Sequence, residues 1–147
     1  MPNSPVDIGL GAPNAQSYTV GTGSLAGTVT DNVTDLMWQQ TPTTSGGVKY
    51  PTFTEAAAAT FCASMTLGGF QDWRLPTAIE LDSLLDYNIA HPGPVINATA
   101  FPSTPAGVFW TSTVVPGGSG AYWAADFSYG YTETFGGATP YYVRCVR

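Results

Sequence analysis

Few side chains in this sequence carry the chemistry of an active site. Its one histidine, His91, stands beside Pro92, and no serine-plus-acid or cysteine pattern accompanies it that would activate a nucleophile. A plain loop histidine is the expectation. Asp82 and Asp86 stand four apart, a spacing that on a helix puts both carboxylates on one face, where they could act together on a proton or a metal ion. A metal site needs further ligands; the sequence points to none, so a solvated helix face outweighs that reading. Cys62 and Cys145 are too few for a structural zinc site without helpers nearby. A disulfide is the better reading, with two buried thiols as the alternative, and closing so long a loop would stabilise the fold by roughly 4 to 5 kcal/mol in the chain-entropy model. Asp72, Trp73 and Arg74 cluster at a turn, where Arg74 can grip a carboxylate with both arms of its guanidinium. Framework is expected of them ahead of ligand contact.

The chemistry that remains is recognition. Trp38, Trp110, Trp123, Phe127 and Val143 fall on the phase that points inward in their strands, whereas Tyr122, Asp126, Tyr129, Tyr131 and Glu133 fall on the opposite one and project outward from the last strands or their turn. Tyrosine offers a large rigid face and a hydroxyl at small entropic cost, the combination used in antibody loops and sugar-stacking sites. These five residues are therefore the candidate ligand-binding set. The competing reading is that they cover the fold or meet in a trimer. No catalytic group, metal or cofactor is expected, because nucleophile, base and orienting group never come together in the sequence.

Bulk properties agree. The 147 residues suit one domain, and 44% hydrophobic residues exclude a wholly disordered chain. Only 10% are charged, a composition commoner outside cells than inside, and the net charge of −6 repels phosphate backbones and sulfated polysaccharides. Nucleic acid is not an expected partner. No apolar run is long enough to enter a membrane, and Met1-Pro2-Asn3-Ser4-Pro5 lacks the pattern of a secretory signal, which an exported protein would have lost.

The elements that must position the tyrosines are legible in outline. Residues 1–22, rich in Gly, Pro, Asn and Ser, read as a flexible tail or linker ahead of a domain at 23–147. Thr28 to Trp38 reads as a hairpin around Asp31-Asn32. Thr52 and Glu55, then Thr77 and Glu80, have capping-box spacing and open two helices, the second with the stripe Leu81, Leu84, Leu85. Asp86 to Gly107, with Pro92, Pro94, Pro102 and Pro105, reads as a long irregular loop of the kind that carries function. Val108 to Val146 alternates strand and turn as an antiparallel meander. The sum is an α+β domain with two helices, in which both chain ends share one sheet and Cys145 on the last strand is stapled to Cys62 on the first helix.

Thr28-Val29-Thr30-Asp31-Asn32 through Leu36-Met37-Trp38-Gln39, the run Leu67-Gly68-Gly69-Phe70-Gln71-Asp72-Trp73-Arg74-Leu75-Pro76-Thr77 with Glu80-Leu81 and Leu84, Phe109-Trp110-Thr111-Ser112-Thr113, and Tyr142-Val143-Arg144-Cys145-Val146-Arg147 resemble the C-terminal domain of the bacterial collagen-like (Lcl) adhesins, in order from about Gly27 to Arg147. The resemblance implies a secreted or surface-attached domain of bacterial or phage origin, with a C-type-lectin-like fold and in some members a trimer. The Arg74-Leu75-Pro76-Thr77 segment with Glu80 is also similar to the formylglycine-generating-enzyme branch of that fold. That branch needs a cysteine pair for copper, and both cysteines here are committed to the staple. The Glu-Pro-Asn, Gln-Pro-Asp and Trp-Asn-Asp strings of calcium-dependent lectins are absent. C-type-lectin-like receptors diversified by retroelements place their variable residues on this same meander.

Pattern and resemblance together imply a non-catalytic extracellular domain, adhesin-like or receptor-like, that recognises a glycan or a surface protein through its tyrosine-rich outer strands and the 86–107 loop. The alternative is a structural or oligomerisation domain, a homotrimer in a bacterial surface or phage assembly.

Overall fold

A computed structural model describes residues 15–147 apart from 43, 46, 47 and 119. The chain runs through β1 (Tyr18–Val20), a short 3-10 turn, β2 (Thr28–Asp31), β3 (Met37–Gln39), β4 (Thr44–Ser45) and β5 (Val48–Lys49). It continues through α1 (Glu55–Ser64), α2 (Ala78–Asp82), β6 (Val108–Val114), β7 (Ala121–Asp126) and β8 (Tyr131–Gly136). The fold is α+β, with two three-stranded sheets in the orders β1-β2-β3 and β6-β7-β8 and a small two-stranded one. All described strand pairs are antiparallel.

Local chemistry explains most of these elements. The β2–β3 hairpin pairs Thr28 with Gln39 and turns where the Asp31 carboxylate accepts from the Val33 amide and the Thr34 hydroxyl. Thr77 and Glu80 form the expected capping box at α2. At α1 the expectation needs correction: Thr54, not Thr52, is the cap, accepting from the Ala57 amide at 3.4 Å. Glu55 does not reach back to an N-cap amide; it is buried as the first helical residue and bonded to the Tyr122 hydroxyl. The second helix is shorter than expected. It stops at Asp82, yet Leu81, Leu84 and Leu85 are all buried, the last two from the turn that follows.

The chain ends do meet, but not in one sheet. The last residues lie along β3, where the Met37 and Arg147 backbones exchange hydrogen bonds and Trp38 bridges Val146. Tyr141 bridges Phe53 and Tyr142 bridges Phe109. This segment changes partner every few residues, so it forms no continuous ladder and instead ties the two sheets together. Tyr18–Val20, expected in the tail, pairs with β2 as β1 because Tyr18 packs its ring against Phe101 at 5.1 Å; residues 1–14 lie outside the described ones.

Two cores result, one on each face of β6-β7-β8. Phe109, Ala125 and Phe127 enter the first with Val29, Trp38 and the leucines of α2 and its turn. Trp110 and Ala124 enter the second with Ala58, Trp73, Val143 and the Cys62–Cys145 disulfide. The disulfide is thus formed as expected, and Trp38, Trp110, Phe127 and Val143 are inside. Trp123 is only half-buried.

The 86–107 loop is not the free loop the prolines implied. Val95, Ile96 and Phe101 are fully or almost fully buried in the first core. Arg144, also fully buried, donates to the Gln39 and Gln40 carbonyls and to the Thr104 hydroxyl, and its guanidinium lies 4.8 Å from the centre of the Phe101 ring. Burial lowers its pKa to about 9, which leaves it charged at neutral pH. Irregular backbone with buried apolar side chains is a core plug, anchored here by a cation on neutral oxygens.

Candidate functional surface

The β7–β8 turn is built to be stiff. The Asp126 carboxylate accepts from the Ser128 amide at 2.7 Å, and its carbonyl accepts from the Gly130 amide. Gly130 has φ +79°, which a side chain would strain, and a Cβ there would sit 3.3 Å from Val95 and 3.6 Å from Tyr87. From the other side the loop braces the turn, with Gly93 donating to the Ser128 carbonyl and Val95 to that of Phe127. Tyr129 and Tyr131 therefore leave a fixed backbone. Their rings stack at 6.2 Å and 19°, they are 53% and 46% exposed, and His91 lies 6.3 Å from Tyr129.

Cross-strand register places Asp126 opposite Tyr131 and Ala124 opposite Glu133. Partial burial raises the pKa of the Tyr131 hydroxyl, and the Glu133 and Asp126 carboxylates raise it further; Tyr141 is raised by the same causes in the same order. Tyr87, beside Gly130, gives its hydroxyl to Asp82 at 3.2 Å, and burial first, then that carboxylate, pushes it up to about 12.

The five expected site residues divide. Tyr129, Tyr131 and Glu133 are exposed and adjacent. Asp126 is buried, as the bracket of the turn. Tyr122 is half-buried, bonded to Glu55 and close against Gly137, where a Cβ would come within 2.9 Å of its ring. Both depart from the outward orientation expected of them because their face of β7 is covered by the second core. Tyr87, Tyr141 and His91 complete the surface; only tertiary structure brings them there, although Tyr87 was visible as an aromatic at the mouth of the proline-rich segment.

The other candidates fall elsewhere. Asp82 and Asp86 do not share a helix face: α2 ends at Asp82, and Asp86 accepts from the Asn88 amide. Arg74 holds Glu80 bidentately at 2.7 and 2.8 Å, and Arg147 holds Asp72, so this cluster is framework. A hollow of about 350 Å³, lined by Gly27, Gln39, Thr41, Pro42, Met65 and Leu67 among others, contains none of the expected site residues. Among the described residues no three of His, Cys, Asp and Glu gather as metal ligands, and no described helix is long and apolar enough to cross a membrane.

Fold and surface define a disulfide-closed α+β domain whose accessible chemistry is aromatic and anionic. The chain belongs to the Lcl C-terminal domain family, whose model matches residues 27–147. No curated protein matches it.

Proposed function

We propose that this is a non-catalytic, cell-surface or secreted ligand-binding domain of C-type-lectin-like fold, adhesin-like in role, which recognises a glycan or a surface protein through the β7–β8 tyrosines. The observation that carries the reading is the exposed Tyr129–Tyr131 stack on a braced turn. Large aromatic rings held rigid and open to solvent lose little entropy on binding and gain contact area. Family membership supports a surface role. From the 86–107 segment, Tyr87 and His91 stand beside the turn and are the residues placed to contribute.

The test is a glycan and surface-protein binding screen on the oxidised domain, with calcium and with chelator, comparing the native chain with a Tyr129→Ser, Tyr131→Ser double variant. Binding that the variant loses while its fold persists supports the proposal. No binding, together with a concentration-dependent mass that the variant abolishes, would replace it with the assembly-domain reading.

A further inference from the structure

The tyrosine surface carries a charge pattern that the three arginines do not neutralise. Asp126, Tyr131 and Glu133 share one face of the β7–β8 pair, because residues directly opposite each other in register project to the same side. The residue opposite the exposed Glu133 is Ala124, whose side chain has no polar group to meet the carboxylate. Tyr141 lies in the field of the same two carboxylates. The three arginines are engaged elsewhere: Arg74 on Glu80, Arg147 on Asp72, and Arg144 buried on the Gln39, Gln40 and Thr104 oxygens. Stacked electron-rich rings beside an accessible carboxylate offer two kinds of attraction to one group, a flat cation. A guanidinium lies over an aromatic face and forks onto a carboxylate at once; an ammonium or a neutral sugar can use only part of that arrangement.

We propose that the Tyr129–Tyr131 stack and Glu133 receive an arginine side chain presented by a protein partner. This rests on the reading of the tyrosine face as a binding surface and names the chemistry it selects. Glu133 makes the ionic contact, the Tyr131 ring supplies the stacking face, and Asp126, whose carboxylate is held by the Ser128 amide, contributes negative field without contact. The net charge of −6 draws a basic partner in and repels sulfated and phosphorylated ones.

The experiment titrates the isotopically labelled, oxidised chain with acetyl-Gly-Arg-Gly-amide, with its citrulline analogue, which keeps the shape and lacks the charge, and with a neutral chito-oligosaccharide, following backbone amide shifts. The arginine peptide is expected to move amides of residues 126–133 and 141, and the citrulline peptide to leave them in place. Glu133→Gln is expected to weaken arginine binding roughly two- to fivefold, the scale of one exposed ion pair, and Tyr131→Ala by a similar factor, the scale of one exposed cation–π contact. Both variants are checked for a native amide spectrum. Equal effects of the two peptides, or shifts centred elsewhere, overturn the inference. Shifts of these amides by the oligosaccharide alone overturn it and leave the proposed binding surface standing; silence from all three probes overturns it too, and the binding surface then stands or falls with the broader screen.

Discussion

The 86–107 segment and the β7–β8 turn share many features. Both are connections rich in turn-forming residues, both carry aromatics, and both lie inside the loop closed by Cys62 and Cys145. One ends as core and the other as surface. The difference lies in which groups satisfy the backbone. In the long segment Val95, Ile96 and Phe101 turn inward because Gly93 and Val95 donate to the Ser128 and Phe127 carbonyls beyond β7, because the Asp86 amide donates to the Val95 carbonyl across the base of the segment, and because Arg144 binds Thr104 from within. At the hairpin, Asp126 and Gly130 complete the turn locally, so Tyr129 and Tyr131 are free to face solvent.

The largest effect that would break this comparison belongs to the plug. Phe101→Ala removes a fully buried ring that packs on both Tyr18 and Arg144, and a loss of about 3 to 5 kcal/mol is expected in urea unfolding. A loss below about 1 kcal/mol would mean that the segment is a loop after all. The Arg74–Glu80 pair, half open to water, is intermediate. The Arg74 side chain first, with help from Thr77, lowers the Glu80 pKa from 4.5 to about 2, against the opposing effect of burial. Because the folded value is the lower one, the stabilisation is complete above about pH 4.5 and is lost as pH falls toward 2. Glu80→Gln should cost about 1 kcal/mol at neutral pH once solvent screening is allowed for, and should flatten the acid limb of the stability curve; an unchanged acid limb would remove the pair from the account. The smallest effect is expected at the turn: Tyr129→Ser should change stability by less than about 0.5 kcal/mol by thermal unfolding. A larger loss would mean that the stack supports the fold.

Much of this was legible where the signal is local. Thr77 and Glu80 announce their helix three residues apart, and the β2–β3 and β7–β8 hairpins follow from alternation and turn residues. Glu55 was misread because Thr54 caps as well as Thr52 would, and because its real partner, Tyr122, lies on a distant strand. Asp126 and Tyr122 were misjudged for a deeper reason. Alternation within a strand rightly puts Tyr122 with Asp126 and Tyr131 with Glu133, but it does not carry from one strand to the next: Trp110, expected on the opposite face, pairs with Ala124 and shares the face of Tyr122. It cannot tell inside from outside when a sheet has a core on each side, as β6-β7-β8 does. The exposed surface begins only beyond the covered part of that face, at a boundary set by where α1 and the last segment pack.

The segment from Tyr141 to Arg147 bears on the order of events in synthesis. It joins the sheets, completes both cores, supplies Arg144 to the plug and carries the second half of the disulfide. Until Cys145 has been made, the growing chain holds an unpaired thiol at Cys62, and each core lacks the side chains that this segment brings.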